Sequence, residues 1–574
     1  MSEKDSPGIG ECQYVSYHLP KWLEDGKIHW DDVQLQHKSL NAEAKCIVPP
    51  TKAIPVIFIP GIMGTNLKNS ENKKVWRADL PMGVDTLSLL KLDGDERRNL
   101  LNVASTFIDG RGSIYPAKRS FISDDGNLFP SREERHWGEA LYLSYGEFLD
   151  YFQHALIDDW QTNMNNMYLL QRMQKQKRSP NYVEYVEKQM PKGELRQLIG
   201  ESLGDTHDSP LTQEELNHFE NFLFPVHVFG YNWLEDNAVS AANLVNYIDK
   251  VMETYKYKHG YGLAIEKVII VTHSMGGLIA RYASQVLGAK DKILGIVHGV
   301  IPDIGSPAAY RRMKTGAHKE GIAGKVLGQN AEELMSVLAF APAPLQLLPT
   351  AKYPSNWLEI EGEGSYPQID PFDEIYLRND VWWRLYEPDI LDKDPLVISR
   401  NWDTYDSLVD KTVRAFVNKL DEGKYHPNTY VFYGQEIESD GKLAWKKEPE
   451  NIIPLTNGGY LTKGYYAPKG KYKYSFVSKL DLAYDRYPVL SDNDKCDIYV
   501  LTQSNTAGDG TVPVESLGEI KKNQFIKSVL STNVDHQNAY AILDPDTKKL
   551  SNAIKFTLRS MLKMVQEVDA HAAD

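Results

Sequence analysis

The sequence has few of the features that mark secreted, membrane-spanning or disulfide-linked proteins. It contains three cysteines, Cys12, Cys46 and Cys496, among 574 residues, and so sparse and odd a set does not make a disulfide framework. No stretch approaches the roughly 20 apolar residues that span a bilayer, and the opening MSEKDSPG lacks the apolar run of a signal peptide. We therefore expect a protein that is cytoplasmic when synthesised and needs another export route to act elsewhere.

Positive charge is also scarce. The chain has 64 Lys and Arg residues against 78 Asp and Glu residues, a formal net charge of -14. Binding to nucleic acid requires a surplus of Lys and Arg, so nucleic acid is not expected as a partner. His and Cys residues do not cluster at the spacing of metal ligands, so we expect neither a metal nor a cofactor.

Short apolar runs alternate along the chain with amphipathic stretches. Runs rich in β-branched residues begin near residues 54, 224, 267, 293, 429 and 525, and helical spacing of apolar residues follows several of them, as in 237–256 and 550–565. This alternation predicts an α/β fold with a mostly parallel sheet and helices on both faces.

The core segments are separated by long insertions. We assign 51–66, 218–307, 425–440 and 501–574 to the core and 1–50 to an N-terminal extension. Residues 67–217 form a first insertion, 308–424 a cap or lid, and 441–500, rich in Tyr, Lys and Gly, an insertion of hairpins and loops. Insertions of this length usually fold as structures of their own or as lids.

The strongest chemical signal is the sequence Thr272-His-Ser-Met-Gly-Gly277 between a predicted strand and a predicted helix. A sharp strand-to-helix turn exposes a serine hydroxyl, and small residues two positions before and after the serine relieve crowding, as in G-x-S-x-G. Gly276 fits this pattern, whereas Thr272 departs from it. The pattern predicts Ser274 as the nucleophile of an α/β-hydrolase; the alternative is an ordinary helix N-cap serine.

A serine nucleophile needs a histidine base and an acid, which follow it in the chain order Ser, acid, His in this fold. His536 lies after the last predicted strand, and Asp509 lies in the glycine turn Gly508-Asp-Gly-Thr-Val-Pro513. We predict these two residues as base and acid. Asp303 and Asp535 remain rival acids, although Asp535 adjoins the histidine.

The oxyanion of an acyl-transfer intermediate needs two backbone N–H donors. One is expected from Met275, the residue after the nucleophile, and the other from Ile62 in the glycine loop Pro60-Gly-Ile-Met-Gly64. The alternative for this loop is a plain glycine turn.

An apolar stretch from Leu334 to Leu348 marks the cap. We predict that it forms an acyl-binding wall or lid over the nucleophile, with substrate-binding residues Leu338, Phe340, Leu345 and Leu348. The alternative is core packing between cap helices.

These motifs, with Tyr231-Asn-Trp233 and Gly305-Ser-Pro307, occur in an order that resembles the lecithin:cholesterol acyltransferase and lysosomal phospholipase group, and also inositol-deacylating hydrolases. The chain is further similar to type VI secretion lipase effectors, particularly their fourth family. The long insertions and the missing signal peptide depart from the secreted members.

The resemblance implies a serine phospholipase or lipase that acts on membrane lipid through Ser274, Asp509 and His536. It further implies an antibacterial toxin exported to the periplasm of target cells, with an immunity protein and a component of the secretion machinery as partners. An acyltransferase, an inositol deacylase and a non-catalytic hydrolase-fold scaffold remain alternatives.

Overall fold

The computed structural model describes residues 50–79, 91–115, 124–126, 128–175, 179–189, 193–205, 209–257, 262–317, 328–392, 394–447 and 496–570, with shorter pieces at 14–18, 21–23, 27–30, 42–46, 320, 324, 326, 453–454, 460–462, 465–467 and 486–490. Most of the predicted N-terminal extension and of the 441–500 insertion therefore lies outside the described residues.

A six-stranded sheet lies at the centre of the fold. Its strands are β1 (Val56–Ile59), β2 (Val226–Val228), β3 (Val268–His273), β4 (Ile293–Gly299), β5 (Thr429–Gly434) and β6 (Ile526–Thr532). Their spatial order is β2-β1-β3-β4-β5-β6, and every neighbouring pair is parallel. The predicted parallel sheet is confirmed.

The sheet is apolar on both faces, which is why its strands read as continuous apolar runs rather than as alternating ones. All six residues of β3 are buried. Because successive side chains of a strand point to opposite faces, Ile57 and Ile270 belong to one hydrophobic cluster, whereas Phe58 and Ile269 belong to the other.

Helices cover both faces and carry the insertions. We name them α1 (Tyr142–Lys175), α2 (Asn237–Tyr257), α3 (Gly276–Arg281), α4 (Pro307–Thr315), α5 (Ala331–Leu338) and α6 (Asn552–Val565). Leu244 of α2 and Leu278 of α3 pack in the cluster of Ile57, whereas Leu558 of α6 packs in the cluster of Phe58. Burial of these amphipathic faces fixes the helices against the sheet.

The first insertion is joined to the sheet through buried charges. Asp124 binds the guanidinium groups of Arg132 and Arg135, and Arg135 also donates to the carbonyl oxygen of Val226 in β2 at 3.2 Å. Burial alone would raise the pKa of the Asp124 carboxyl, but Arg135 and Arg132 outweigh it and lower the pKa to about 2. The insertion is therefore part of the same folded unit as the core.

A second sheet joins parts of the chain that the sequence assigned to different segments. Its five strands, in spatial order, are Gly364–Tyr366, Leu358–Ile360, Ile437–Lys447, Cys496–Gly508 and Arg486–Leu490. The first two come from the 308–424 cap. Ile437–Lys447 and Cys496–Gly508, which pair antiparallel, each run across a boundary set for the 441–500 insertion.

The other described elements are smaller or lie outside the two large sheets. The strands are Tyr14–His18, Lys21–Trp22, Ile28–His29, Ala42–Cys46, Lys52–Ala53, Leu67–Asn69, Lys74–Trp76, Thr106–Ile108, Phe222–Leu223, Gly262–Leu263, Ile453–Pro454, Tyr460–Thr462 and Tyr465–Ala467. The helices are Gly94–Leu100, Pro180–Gln189, Gln213–Phe219, Pro342–Leu345, Pro388–Leu391, Pro395–Leu408 and Arg414–Leu420. Short 3-10 or π turns are Trp137–Glu139, Arg196–Leu198, Tyr282–Val286, Ala289–Lys292, Phe372–Tyr376, Val409–Val413, Val514–Leu517 and Ile520–Lys522. None of the described helices combines the length and the apolar character needed to cross a membrane.

Candidate active site

Ser274 lies in a strained turn between β3 and α3. Its φ is 50°, in the left-handed region that non-glycine residues rarely adopt. Its amide donates to the carbonyl oxygen of Gly299 at 2.9 Å. Gly276 approaches β1 so closely that a Cβ there would stand 2.6 Å from the carbonyl oxygens of Ile59 and Pro60. The glycine after the serine of a G-x-S-x-G turn relieves crowding of this kind, because it has no side chain.

The residue two positions before Ser274 tolerates a side chain larger than glycine. Thr272 is fully buried, and its Oγ1 lies 3.0 Å from Nδ1 of His298 in β4. Burial lowers the pKa of His298 to about 3, so this imidazole is neutral. The departure of Thr272 from the glycine pattern is therefore accommodated by a polar partner on the neighbouring strand.

Ser274, His536 and Asp509 lie in a hydrogen-bonded row. Ser274 Oγ is 2.8 Å from His536 Nε2, and His536 Nδ1 is 2.7 Å from Asp509 Oδ2. Because a carboxylate only accepts, Nδ1 carries the proton, which leaves Nε2 free to accept from the serine hydroxyl. The other carboxylate oxygen of Asp509 accepts from the amides of Thr511 and Val512 at 3.0 and 2.6 Å.

The rival acids lie in other hydrogen-bond networks. Asp303 is buried, with one carboxylate oxygen 2.5 Å from Arg281 and the other 2.5 Å from the Tyr425 hydroxyl. Asp535 accepts from the amides of Gln537 and Asn538. Neither carboxylate is hydrogen-bonded to a histidine among the described residues, so only Asp509 is placed to orient the imidazole.

The two predicted oxyanion donors are the backbone amides of Ile62 and Met275. Ile62 lines the cavity in which Ser274 lies, and Met275 directly follows the serine at the start of α3. Within the described part of the chain, neither amide donates a hydrogen bond. Two such donors beside a nucleophile suit an oxyanion.

Ser274 and His536 open into a cavity of about 180 Å³ with mainly apolar walls. Its apolar lining includes Ile62, Met63, Trp76, Leu141, Trp233, Met313, Leu338, Pro344, Leu345, Leu347 and Leu348. Such a surface suits a hydrocarbon chain, since each buried methylene contributes roughly 0.8 kcal/mol.

The predicted substrate-binding residues are only partly brought together. Leu338, Leu345 and Leu348 line the cavity. Phe340 is not part of that lining. Its ring packs edge-on against Tyr386 and lies 4.0 Å from the guanidinium of Arg98. These contacts follow the end of α5 at Leu338, and apolar character alone could not reveal them.

Sequence reasoning missed the one ion pair in the described lining of the cavity. Arg312 Nε lies 2.8 Å from Glu320 Oε1, and Arg312 also contacts the hydroxyl of Thr511 at 3.2 Å. Burial would raise the pKa of Glu320, but Arg312 and Arg311 lower it to about 2. No spacing pattern joins these residues to the serine motif. Among the residues that the structure describes, no group of His, Cys, Asp and Glu could hold a metal ion.

No family model and no curated protein matches this chain. A solved structure does: the crystal structure of the Tle4-Tli4 complex. The match has a TM-score of 0.68 and 26% identity, and it covers 90% of this chain and 100% of that chain. The likeness supports the resemblance to type VI secretion lipase effectors and an α/β-hydrolase type of fold.

Proposed function

We propose that this protein is a serine hydrolase that cleaves acyl esters of membrane lipids, with Ser274 as nucleophile, His536 as base and Asp509 as the orienting acid. The observation that carries the proposal is the hydrogen-bonded row of these residues at the wall of an apolar cavity. A scaffold that only binds lipid would need the apolar wall, but it would need neither the hydrogen-bonded row nor two amides without partners.

In the first half-reaction, Ser274 Oγ attacks the ester carbonyl while His536 Nε2 takes the hydroxyl proton. The carbonyl oxygen becomes an oxyanion, which the amides of Ile62 and Met275 stabilise. Asp509 stabilises the imidazolium. The C–O bond to the alcohol breaks, His536 returns the proton to the leaving alkoxide, and an acyl-serine remains.

In the second half-reaction, His536 takes a proton from water, whose oxygen attacks the acyl carbon. The tetrahedral intermediate collapses, Ser274 regains its proton, and the fatty acid leaves. The acyl chain lies along Leu338, Leu345 and Leu348 throughout. An alcohol in place of water would give acyl transfer instead.

The test is lipid mass spectrometry of a membrane extract treated with the protein or with Ser274→Ala. We expect free fatty acid and lysolipid from the native chain and a loss of about 10⁴-fold or more from the variant. Ser284→Ala is the matched control, because Ser284 is also buried near α3 but does not line the cavity. Equal activity of native chain and Ser274→Ala would overturn the proposal, and acyl esters formed when an alcohol is added would identify a transferase.

The similar structure supports a proposal about the biological role. Tle4 is a type VI secretion lipase effector, crystallised with Tli4. We infer that the present chain is likewise a toxin delivered to neighbouring cells, and that a cognate immunity protein protects the producer by blocking the cleft or the cap.

A bacterial host tests this role. The protein should be tolerated in the cytoplasm but should stop growth when an added signal peptide directs it to the periplasm. Periplasmic Ser274→Ala should be harmless at equal abundance. Equal growth of the two periplasmic strains would refute the effector role while leaving the hydrolase proposal open to the lipid assay.

A further inference from the structure

A series of hydrogen bonds runs through the wall of the candidate active site, where Tyr145 and His273 also line the cavity. The amide of Gly61 donates to the Tyr145 hydroxyl at 3.1 Å, and that hydroxyl lies 2.7 Å from Nδ1 of His273. Nε2 of His273 lies 2.7 Å from the main-chain carbonyl oxygen of His536. Two side chains thus connect the glycine loop to the loop that carries the base.

The chemistry of the groups fixes the direction of every bond. A carbonyl oxygen only accepts, so Nε2 of His273 carries a proton and donates to His536. Burial, and then the nearby His536, lowers the pKa of His273 to about 3, so the ring is neutral. Nδ1 must therefore accept from the Tyr145 hydroxyl, whose oxygen accepts from Gly61. These hydrogen bonds therefore allow only one placement of the protons, and each of the polar groups in them has a hydrogen-bond partner.

We propose that Tyr145 and His273 are positioning residues that hold the oxyanion loop and the loop of His536 in register with Ser274; this rests on the proposed function. Gly61 immediately precedes Ile62, the proposed oxyanion donor. His273 fixes the main chain of the base itself. A shift at either end would move a donor or the imidazole away from the reacting carbonyl.

The first insertion is then a working part of the active site. Tyr145 lies on α1, within the first insertion, and is almost wholly buried against Phe58 of β1. Its ring also packs against His273 with centroids 5.6 Å apart. Among the described residues, no hydroxyl of the core is hydrogen-bonded to Nδ1 of His273 in place of the Tyr145 hydroxyl.

A neutral His273 suits the place beside His536 better than a charged one would. The rings of His273 and His536 are 5.5 Å apart, and His536 becomes positive when it takes the serine proton. A second cation at this distance would oppose that charge. A neutral N–H instead holds the carbonyl oxygen without acting against the imidazolium.

Tyr145→Phe tests the proposal, because it removes only the hydroxyl. We expect kcat on a short soluble ester to fall about 10- to 100-fold with KM little changed, since small misplacements of reacting groups have effects of this size. The rate of fluorophosphonate labelling of Ser274 should fall in parallel. Tyr255→Phe is the matched control: Tyr255 and His227 form another buried Tyr–His pair, 2.7 Å apart, and neither lines the cavity.

Variants of His273 separate the contribution of its hydrogen bond to Tyr145 from that of its hydrogen bond to His536. In His273→Gln, the side-chain amide can take the place of Nε2 and donate to the carbonyl oxygen of His536. In His273→Asn, the shorter side chain can take the place only of Nδ1, next to the Tyr145 hydroxyl. We expect the Gln variant to recover part of the activity and of the native pH profile of kcat/KM, and the Asn variant to recover neither. Rates are referred to the active protein counted by exhaustive fluorophosphonate labelling.

Two outcomes would overturn the positioning role of Tyr145 and His273, and a third would overturn the proposed function. If Tyr145→Phe lowers the melting temperature as Tyr255→Phe does but leaves kcat and labelling rate unchanged, the residues are structural only and the proposal is wrong. Equal kcat and pH profiles for His273→Gln and His273→Asn would also overturn it. An active Ser274→Ala would instead overturn the proposed function, so the two failures are distinguishable.

Discussion

The buried aspartates Asp509 and Asp303 make a sharp test, because the structure gives them different partners. In Asp509→Asn, the amide oxygen can keep the bonds from Thr511 and Val512. The new NH₂ group then faces His536 Nδ1, where the native carboxylate oxygen accepts a hydrogen bond at 2.7 Å. The imidazole must adopt the other tautomer, with the proton on Nε2, and the hydroxyl of Ser274 loses its acceptor.

The expected loss follows from that tautomer. Removing the acid in this way lowers kcat about 10⁴-fold in a serine triad, equivalent to about 5 kcal/mol of barrier. Stability should change little, since the backbone contacts of Asp509 survive. Asp303→Asn should instead reduce stability and leave kcat nearly unchanged. It leaves Arg281 buried without its counter-charge, which should reduce the free energy of unfolding by about 3 kcal/mol, while the folded fraction keeps near-native kcat.

The assay pairs hydrolysis of a short soluble ester with urea unfolding of each variant. Exhaustive fluorophosphonate labelling of the native chain and of Asp303→Asn corrects for unfolded protein. Should Asp303→Asn lose kcat while Asp509→Asn retains it, the acid has been assigned to the wrong residue and the role of His536 fails with it.

Three further changes test other parts of the structure. Gly61→Ala would place a Cβ 2.8 Å from Nδ1 of His273; we expect kcat on a short ester to fall at least about 10-fold, and a fully active variant would contradict this geometry. Leu345→Asp should lower kcat/KM for long-chain esters more than for acetate, because each lost methylene contact removes roughly 0.8 kcal/mol; equal loss on both would make Leu345 structural core. Asp124 has a folded pKa of about 2, below its unfolded value, so its stabilisation is full above about pH 4 and is lost as the pH falls toward 2. The stability gap between the native chain and Asp124→Asn, about 2 kcal/mol at pH 5, should therefore shrink at pH 2.5 in urea unfolding, and a constant gap would refute the ion-pair reasoning.

Much of the core could be predicted from local signals. Each central strand is a run of β-branched or aromatic residues that ends in a turn rich in small residues, and the observed strands begin within two residues of the predicted ones. Their parallel arrangement follows from apolar character on both faces. The residues of the candidate triad could be named because Ser274, Asp509 and His536 each lie where a strand or a glycine turn ends.

Other features depend on contacts that no local pattern encodes. The second sheet pairs Leu358–Ile360 with Ile437–Lys447 and Cys496–Gly508, and the register of strands so far apart is set by packing. Phe340 shares the apolar character of its neighbours, yet the end of α5 directs it to Tyr386. The pairing of Asp303 with Arg281, which gives this rival acid another partner than a histidine, also has no local sequence signal.

The order of strands in the central sheet constrains when the candidate active site can first assemble during synthesis. β1 lies between β2 and β3, so the oxyanion loop near residue 61 has to wait for partners that are made long after it. His536 follows Val56 by 480 positions, which at about 5–20 residues per second takes about 24–96 s of translation. Ser274 precedes His536 by 262 positions, so for about 13–52 s of translation the nascent chain holds the proposed nucleophile without its base. A site whose nucleophile and base lie so far apart in the sequence cannot turn over substrate until both segments have been made and have folded together.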